Sequence, residues 1–240
     1  MPSGRNSRVS GTGSKASWAT VIPSFLYLLV CLLCLVRWDA VDPWSRVDLF
    51  SGGYLGVRAL AAIHSIISSR KVFSSKPLRR EWWGITSDQA VINWVVLLML
   101  ADLTVFLDYG HWQLTPGLKR RGLQSLGLGL YALAAVWQMW ADTYLARYFA
   151  DDQSSKGATP KPISEGPFRY VRHPRYAGAM VGKLAFALVF ASGLGWLFAA
   201  AWILMLYRKV LREETHLRDL FGAEYDAYAC HTARLLPGVY

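Results

Sequence analysis

The 240-residue sequence has little charge and little cysteine. Charged residues make up 18% of the chain and there are 3 Cys, whereas a soluble domain carries about 25% charged residues. So few cysteines exclude a disulfide-stapled scaffold, and a hydrophobic content of 53% excludes a disordered chain. The apolar residues also form long blocks, which predicts an integral membrane protein.

The net charge of +10 at first suggests a nucleic-acid partner. A nucleic-acid-binding surface needs a soluble scaffold to display it, and the long uncharged blocks argue against one. In a membrane protein, excess Lys and Arg marks cytoplasmic loops and contact with anionic lipid. We therefore expect the lipid bilayer, and no nucleic acid, as a partner.

Apolar blocks at 16–36, 49–67, 89–107 and 122–141 predict four membrane spans. A fifth block at 176–207 would form a helix about 48 Å long, well beyond a hydrocarbon core of about 30 Å. Ser192-Gly193-Leu194-Gly195 in its middle is a turn signal. The sequence thus predicts an all-α integral membrane protein with about five to six transmembrane helices, including a C-terminal hairpin of two short helices.

Charge asymmetry predicts how this chain is organised and oriented. We expect a flexible basic tail at 1–15, N-terminal transmembrane helices at 16–141 and a ligand-binding region at 142–240. Most Lys and Arg residues lie in the tail, in the loops at 67–89 and 142–175, and after the hairpin. The positive-inside rule then predicts a multi-pass protein with both termini and the 142–175 loop in the cytoplasm.

Two polar clusters flank the predicted hairpin. Before it stands G-P-F-R-Y-V-R-H-P-R-Y-A-G at 166–178, in which Pro174 can begin a helix whose N-terminus would attract an anion. After it stand Glu213 and Glu214, which a hairpin returns to the neighbourhood of His173. The clusters would then form one pocket for a ligand carrying both charges. The alternatives are a basic belt for lipid headgroups and simple helical pairing of Lys209 with Glu213.

Together these elements resemble the C-terminal half of the isoprenylcysteine carboxyl methyltransferase family. The first cluster, the hairpin, then E-E-x-x-L-x-x-x-F-G-x-x-Y-x-x-Y and a closing Leu235-Leu236-Pro237 carry the resemblance over roughly residues 140–240. Phospholipid N-methyltransferases are related through the same R-H-P-x-Y and E-E elements. The resemblance implies a membrane methyltransferase with S-adenosylmethionine in a cytoplasmic pocket. The cofactor contacts that it implies or that charge suggests are Gln153, Pro160, Lys161, Pro162, Ile163, Phe168, Arg172, His173, Pro174, Arg175, Tyr176, Glu213 and Glu214.

The acceptor is the open question in this interpretation. A carboxylate acceptor is already ionised at pH 7, so it needs a cation to hold it and no general base; we predict Arg208, Lys209 and Arg212 for this catalytic role. In the family a basic residue lines the substrate site at the Lys209 position, where Arg is usual. The expected acceptor is therefore lipophilic, with an isoprenylcysteine-like carboxylate first.

Three other functions compete with this one. They are phospholipid headgroup N-methylation, an NADPH-dependent membrane reductase with a similar cofactor region, and a non-enzymatic lipid-binding protein. No metal site is expected, because the three cysteines are not arranged as ligands.

Overall fold

The structure is a computed structural model that describes residues 25–38, 40–72, 89–114, 120–151 and 162–238. Within these ranges it is all-helical, which confirms the predicted helical class; the exception is one isolated bridge between Val171 and Ala233. The helices are α1 (Phe25–Leu35), α2 (Leu49–Val72), α3 (Gln89–Leu107), α4 (Arg121–Asp151), α5 (Pro174–Phe190), α6 (Gly193–Phe221) and α7 (Ala223–His231). A π-helical turn (Asp108–Trp112) follows α3, and a 3-10 turn (Gly166–Arg169) precedes α5.

Aromatic packing joins α2, α3 and α5 in the core. The Tyr54 ring centroid lies 5.3 Å from that of Phe186, and the Phe106 centroid lies 4.7 Å from that of Phe190. These tilted and edge-on arrangements are the preferred geometries of buried rings. The rings therefore hold three helices together through a cluster of buried apolar and aromatic side chains.

Helix α4 crosses α5 at very close range because a glycine stands at the crossing. A Cβ on Gly127 would lie 2.7 Å from the Leu188 Cβ and 2.8 Å from the Val189 backbone nitrogen. Gln124, one turn earlier in α4, donates from Nε2 to the Val189 carbonyl oxygen at 2.9 Å. The absence of a side chain at 127 thus lets the two backbones approach.

The predicted hairpin is present and turns at Ala191 and Ser192. Ala191 has a positive φ of 47°, and the Ser192 hydroxyl caps α6 by accepting from the Gly195 amide. The same hydroxyl donates to Asp108 Oδ2 at 2.6 Å, and Asp108 Oδ1 accepts from the Leu114 amide at 2.8 Å. A buried carboxylate at the end of α3 therefore fixes the hairpin tip.

Among the described helices, Leu49–Ser68 and Gly193–Phe221 are long and apolar enough to cross a membrane. The expectation of two short hairpin helices is wrong for the second, since α6 has 29 residues and α5 has 17. At 1.5 Å per residue α6 is about 43 Å long, so its charged last turns extend beyond a core of about 30 Å. Those turns, from Arg212 onward, carry the second polar cluster.

Candidate active site

A cavity of about 260 Å³ opens at the end of the bundle opposite the hairpin tip. Its walls come from α4, the segment before the 3-10 turn, the first turns of α5, the second half of α6, and α7. The lining residues are Gln138, Leu145, Pro162, Ile163, Phe168, Arg172, His173, Pro174, Arg175, Tyr176, Ala179, Leu206, Lys209, Glu213, Leu217, Phe221, Tyr225 and Tyr228. Most of these are apolar or aromatic and a few are charged, as in small-molecule sites generally.

Local sequence rules place the first polar cluster at the cavity. Pro174 begins α5, and His173 holds the N-cap position with φ −123° and ψ 61°, outside the helical region that a following proline disfavours. The Tyr228 hydroxyl of α7 donates to the Phe168 carbonyl oxygen at 2.6 Å, which ties the 3-10 turn to the C-terminal helix. The cluster is thereby held between α5 and α7.

A buried ion network supports the wall behind His173. Arg172 Nε lies 2.9 Å from Glu214 Oε1, and Arg234 Nη2 lies 2.9 Å from Glu214 Oε2. Arg172 Nη1 also donates to the Ala229 carbonyl oxygen at 2.7 Å and to that of Thr232. The guanidinium of Arg172 is thus paired with groups of the protein itself.

The same network sets the protonation state of Glu214, whose side chain is 1% exposed. Burial acts to raise the pKa of this carboxyl group, while the nearby His173 imidazole and the guanidinium groups of Arg234 and Arg172 act to lower it. The lowering prevails, and the pKa lies well below its ordinary value. Glu214 is therefore a carboxylate at neutral pH.

The C-terminal segment completes this wall through its backbone. Val171 and Ala233 form a parallel bridge; the Arg172 amide donates to the Ala233 carbonyl oxygen at 2.8 Å, and the His173 amide donates to that of Arg234 at 3.2 Å. These bonds pair the backbone N–H groups of Arg172 and His173, which stand just before α5 and have no partner within a helix. The position of His173 consequently depends on residues sixty positions later in the chain.

Three buried polar atoms on cavity residues have no hydrogen-bond partner among the described residues: His173 Nε2, Glu213 Oε2 and the Tyr225 hydroxyl. His173 Nε2 lies 3.5 Å from Glu214 Oε1 but makes no hydrogen bond to it. Burial, with the nearby Glu214 carboxylate, raises the pKa of Tyr225 to about 12, so its phenol is a neutral donor at pH 7. Unpaired buried groups are rare in proteins, and a cluster of them beside a cavity is typical of a ligand site.

The basic side chains at the cavity differ in their partners. Arg175 Nε lies 2.5 Å from Asp142 Oδ1 of α4, and Arg172 pairs with Glu214. Lys209 Nζ instead lies 5.5 Å from the centre of the Tyr176 ring, a cation–π contact. Of the cavity cations in the described ranges, Lys209 is the one that forms no ion pair within 4 Å with a carboxylate.

Residues 123–224, which carry most of this cavity, match the profile of the phospholipid methyltransferase family. Over this segment the chain is similar to that methyltransferase family. Methanethiol S-methyltransferase 1 of Bradyrhizobium diazoefficiens is 25% identical over 238 residues, covering 92% of this chain and 80% of that protein. The probable protein-S-isoprenylcysteine O-methyltransferases of Oryza sativa subsp. indica and japonica are each 30% identical over 108 residues, 43% of this chain and 52% of theirs. The predicted resemblance is therefore confirmed.

In the structure most of the predicted site residues come together. Those at the cavity are Pro162, Ile163, Phe168, Arg172, His173, Pro174, Arg175, Tyr176, Lys209 and Glu213. Glu214 lies behind the wall with Arg172, and Arg208 and Arg212 are exposed on α6 without lining the cavity. Gln153, Pro160 and Lys161 lie outside the described residues.

Several residues of the cavity or its wall were not among the predicted site residues. Tyr225 and Tyr228 were visible in the Y-x-x-Y spacing, which places both rings on one helical face. Gln138 and Leu145 lie in an apolar helix with no local signal. Arg234 lies twenty residues from its partner Glu214, and no pattern in the sequence links the two.

Proposed function

We propose that the protein transfers a methyl group from S-adenosylmethionine to an anionic atom of a lipophilic acceptor, with an isoprenylcysteine-like carboxylate as the first candidate. One observation carries the proposal: His173, Glu213 and Tyr225 line a largely apolar cavity, and each has a buried polar atom without a hydrogen-bond partner among the described residues, in a chain similar to a methyltransferase family. A buried unpaired group costs about 1–3 kcal/mol unless a ligand pairs it. The cavity is thus prepared for a ligand with both polar and apolar parts.

S-adenosylmethionine fits the chemistry of these groups. His173 and Tyr225 can donate to its carboxylate or hydroxyl groups, and Glu213 can accept from its ammonium or ribose hydroxyls. Phe168, Phe221 and Tyr228 offer aromatic surface to the adenine. When bound, the cofactor supplies a methyl group activated by the sulfonium charge.

Lys209 supports an anionic acceptor. Its ammonium forms no ion pair within 4 Å with a carboxylate of the described residues, although the Glu213 carboxylate, one turn further along α6, interacts with it at longer range, whereas Arg172 and Arg175 are each paired. A carboxylate held there is already ionised, so the protein needs only to align it and exclude water. An amine acceptor would be repelled by the same charge, which disfavours phospholipid N-methylation. Of the three predicted catalytic cations, we assign this role to Lys209 because Arg208 and Arg212 do not line the cavity.

A thiol is the second candidate acceptor. The Bradyrhizobium relative, named for methanethiol S-methylation, aligns over 92% of this chain, whereas the rice relatives align over 43%. A thiolate would use the same cation as a carboxylate. At pH 7 a carboxyl group, with a pKa near 4, is already ionised, whereas most of a thiol, with a pKa near 8.5, is still protonated. A thiol acceptor must therefore lose its proton first.

We also propose that the protein is multi-pass, with its cavity on the cytoplasmic face. The charged end of α6 and the R-x-x-R-H-P-R motif share the cavity end of the bundle, and cytoplasmic segments carry excess Lys and Arg. The bilayer would then deliver lipophilic acceptors from the side. Cysteine-scanning accessibility in oriented vesicles would test the orientation, and protection of Cys230 from an external reagent is the expected result.

Calorimetric titration of the detergent-purified protein with S-adenosylhomocysteine, with NADPH in parallel, tests the cofactor. We expect binding of S-adenosylhomocysteine alone, and loss of that binding in His173→Ala and Glu213→Gln. Glu224→Gln, on an exposed position of α7, is the matched control. Binding of NADPH would indicate a reductase instead. If the folded protein binds neither S-adenosylhomocysteine nor NADPH, the proposal is refuted.

Transfer of a labelled methyl group then identifies the acceptor class. The three probes are N-acetyl-S-farnesylcysteine, methanethiol and vesicles of phosphatidylethanolamine. Methylation of the first supports the carboxylate, and methylation of the second supports the thiol. Methylation of the phospholipid alone would contradict an anionic acceptor.

A further inference from the structure

An ion pair lies one helical turn beneath the cavity, on the side of the hairpin tip. Lys183 Nζ of α5 contacts Asp102 Oδ2 of α3, and their side chains are 11% and 8% exposed. Lys183 Nζ also lies 4.8 Å from the centre of the Trp202 ring of α6. We call Asp102, Lys183 and Trp202 the lysine floor. None of the three belongs to the described cavity lining.

The register of the hairpin places the lysine floor directly below the cavity. Ala179 of α5 and Leu206 of α6 line the cavity. Lys183 follows Ala179 by four residues and Trp202 precedes Leu206 by four, so each shares a helical face with the cavity residue of its helix. Because α5 and α6 are antiparallel, both steps lead toward the hairpin tip, to a layer about 6 Å deeper.

The composition of the lysine floor is unusual for a contact that only joins helices. Apolar residues of similar volume serve that purpose as well as a buried ion pair does, and ionisable residues among membrane helices mark functional positions. Asp102 Oδ1 is buried and makes no hydrogen bond within the described ranges, so the pair is not optimised for stability alone. The long lysine side chain, however, spans the gap between three helices and holds the indole across it.

We infer that the lysine floor closes the cavity between α5 and α6 and thereby limits the length of the apolar group that an acceptor can insert there. This inference rests on the proposed function, since it assigns the cavity to a methyl acceptor. A short apolar group fits above Trp202, and a longer one has no path between α5 and α6. The Trp202 indole blocks further insertion, and Lys183, held by Asp102, fixes the position of the indole.

Chemical labelling tests the depth of the cavity without any catalytic turnover. Ala179→Cys places a thiol on the cavity wall, and alkyl methanethiosulfonates from propyl to dodecyl label it in the detergent-purified full chain. Peptide mass spectrometry counts labelling at position 179 separately from the three native cysteines. Each methylene that becomes buried should raise the labelling rate about fourfold, until the chain reaches the floor and the rate stops rising.

We call the chain length at which the labelling rate stops rising the break. We expect Trp202→Ala to move the break to longer reagents, with decyl labelling about tenfold faster than in the parent. Trp196→Ala is the matched control, because the same change is made on the same helix at a ring that is 40% exposed. An unchanged break in Trp202→Ala would overturn the inference. If that variant does not fold, Trp202→Leu provides the same comparison with a smaller expected shift.

A second variant tests the lysine separately from the indole. Lys183→Met combined with Asp102→Asn removes both charges, so no charge is left unpaired. We expect the break to move to longer reagents here too, since the indole loses its cation–π contact. An unchanged break would contradict the positioning role of Lys183. Binding of S-adenosylhomocysteine to the parent chain, without Ala179→Cys or any label, reports on the proposed function independently: its absence with the labelling shift intact would refute that function and leave the floor in place.

Discussion

Replacing Glu214 by Gln should destabilise the protein far more than a surface substitution does. The change leaves Arg172, whose side chain is 6% exposed, without its counter-charge. Removing one partner of a buried ion pair costs about 3–5 kcal/mol. Arg234 and Arg218 are 30% and 44% exposed, so the loss of their contacts with Glu214 adds little.

Thermal unfolding in detergent, followed by the fluorescence of the 11 tryptophans, measures this effect. For a protein of this size 1 kcal/mol shifts the melting temperature by about 2–4 °C, so Glu214→Gln should lower it by roughly 6–20 °C. Glu224→Gln, an exposed glutamate on α7, should change it by less than about 2 °C. Equal melting temperatures for the two variants would refute the structural role of the network.

Arg172→Lys separates the charge of the network from its geometry. The lysine keeps a positive charge beside Glu214, but it cannot also reach the carbonyl oxygens of Ala229 and Thr232. Each unpaired buried carbonyl costs about 1–3 kcal/mol. The variant should therefore melt below the parent even though the ion pair remains, and a parental melting temperature would show that these two hydrogen bonds are dispensable.

Three further predictions follow from the same geometry. The pKa of Glu214 in the folded protein lies below the value of about 4.3 in the unfolded chain, so the Glu214 carboxylate stabilises the fold fully above that pH and less below it. Between pH 5 and pH 3 the melting temperature of the parent should therefore fall further than that of Glu214→Gln. Lys209→Met should lower methyl transfer to an anionic acceptor at least about tenfold with S-adenosylhomocysteine affinity unchanged, and an equal loss of both would contradict its assignment to the acceptor. Gly127→Ala should cost about 1–3 kcal/mol in a thermal melt because its Cβ would meet the α5 backbone, whereas Gly129→Ala, with open space, should not destabilise.

The apolar blocks predicted where helices lie better than where they end. The block at 89–107 coincides with α3 (Gln89–Leu107). The block at 122–141 stops ten residues before α4 ends at Asp151, because charged residues end a hydrophobic run without ending a helix. Asp142 lies in that extension and pairs with Arg175 across the site. Hydrophobicity alone therefore misses the helical turns that extend beyond the apolar block and build the cavity.

The candidate site was predictable in its parts and less so in its pairings. The hairpin, which the sequence predicts, brings His173 and Glu213 to one place, and both line the cavity. Which neighbouring cation faces inward depends on helix rotation, since Arg208 stands about 100° around α6 from Lys209. The partnership of Glu214 with Arg234 depends on the course of the chain after α7, which no periodicity encodes.

The bridge between residues 171–173 and 233–234 makes the cavity depend on a segment that is synthesised about sixty residues after His173. Helices α5 and α6 are joined by a short turn, so they can pair before that segment is made. Arg172, His173 and Glu214 must wait for the backbone and guanidinium of Arg234. A chain interrupted before Arg234 would keep its hairpin, but the buried Glu214 carboxylate and the His173 amide would each lack the partner that Arg234 provides. The wall of the cavity therefore forms only when two segments about sixty residues apart have met.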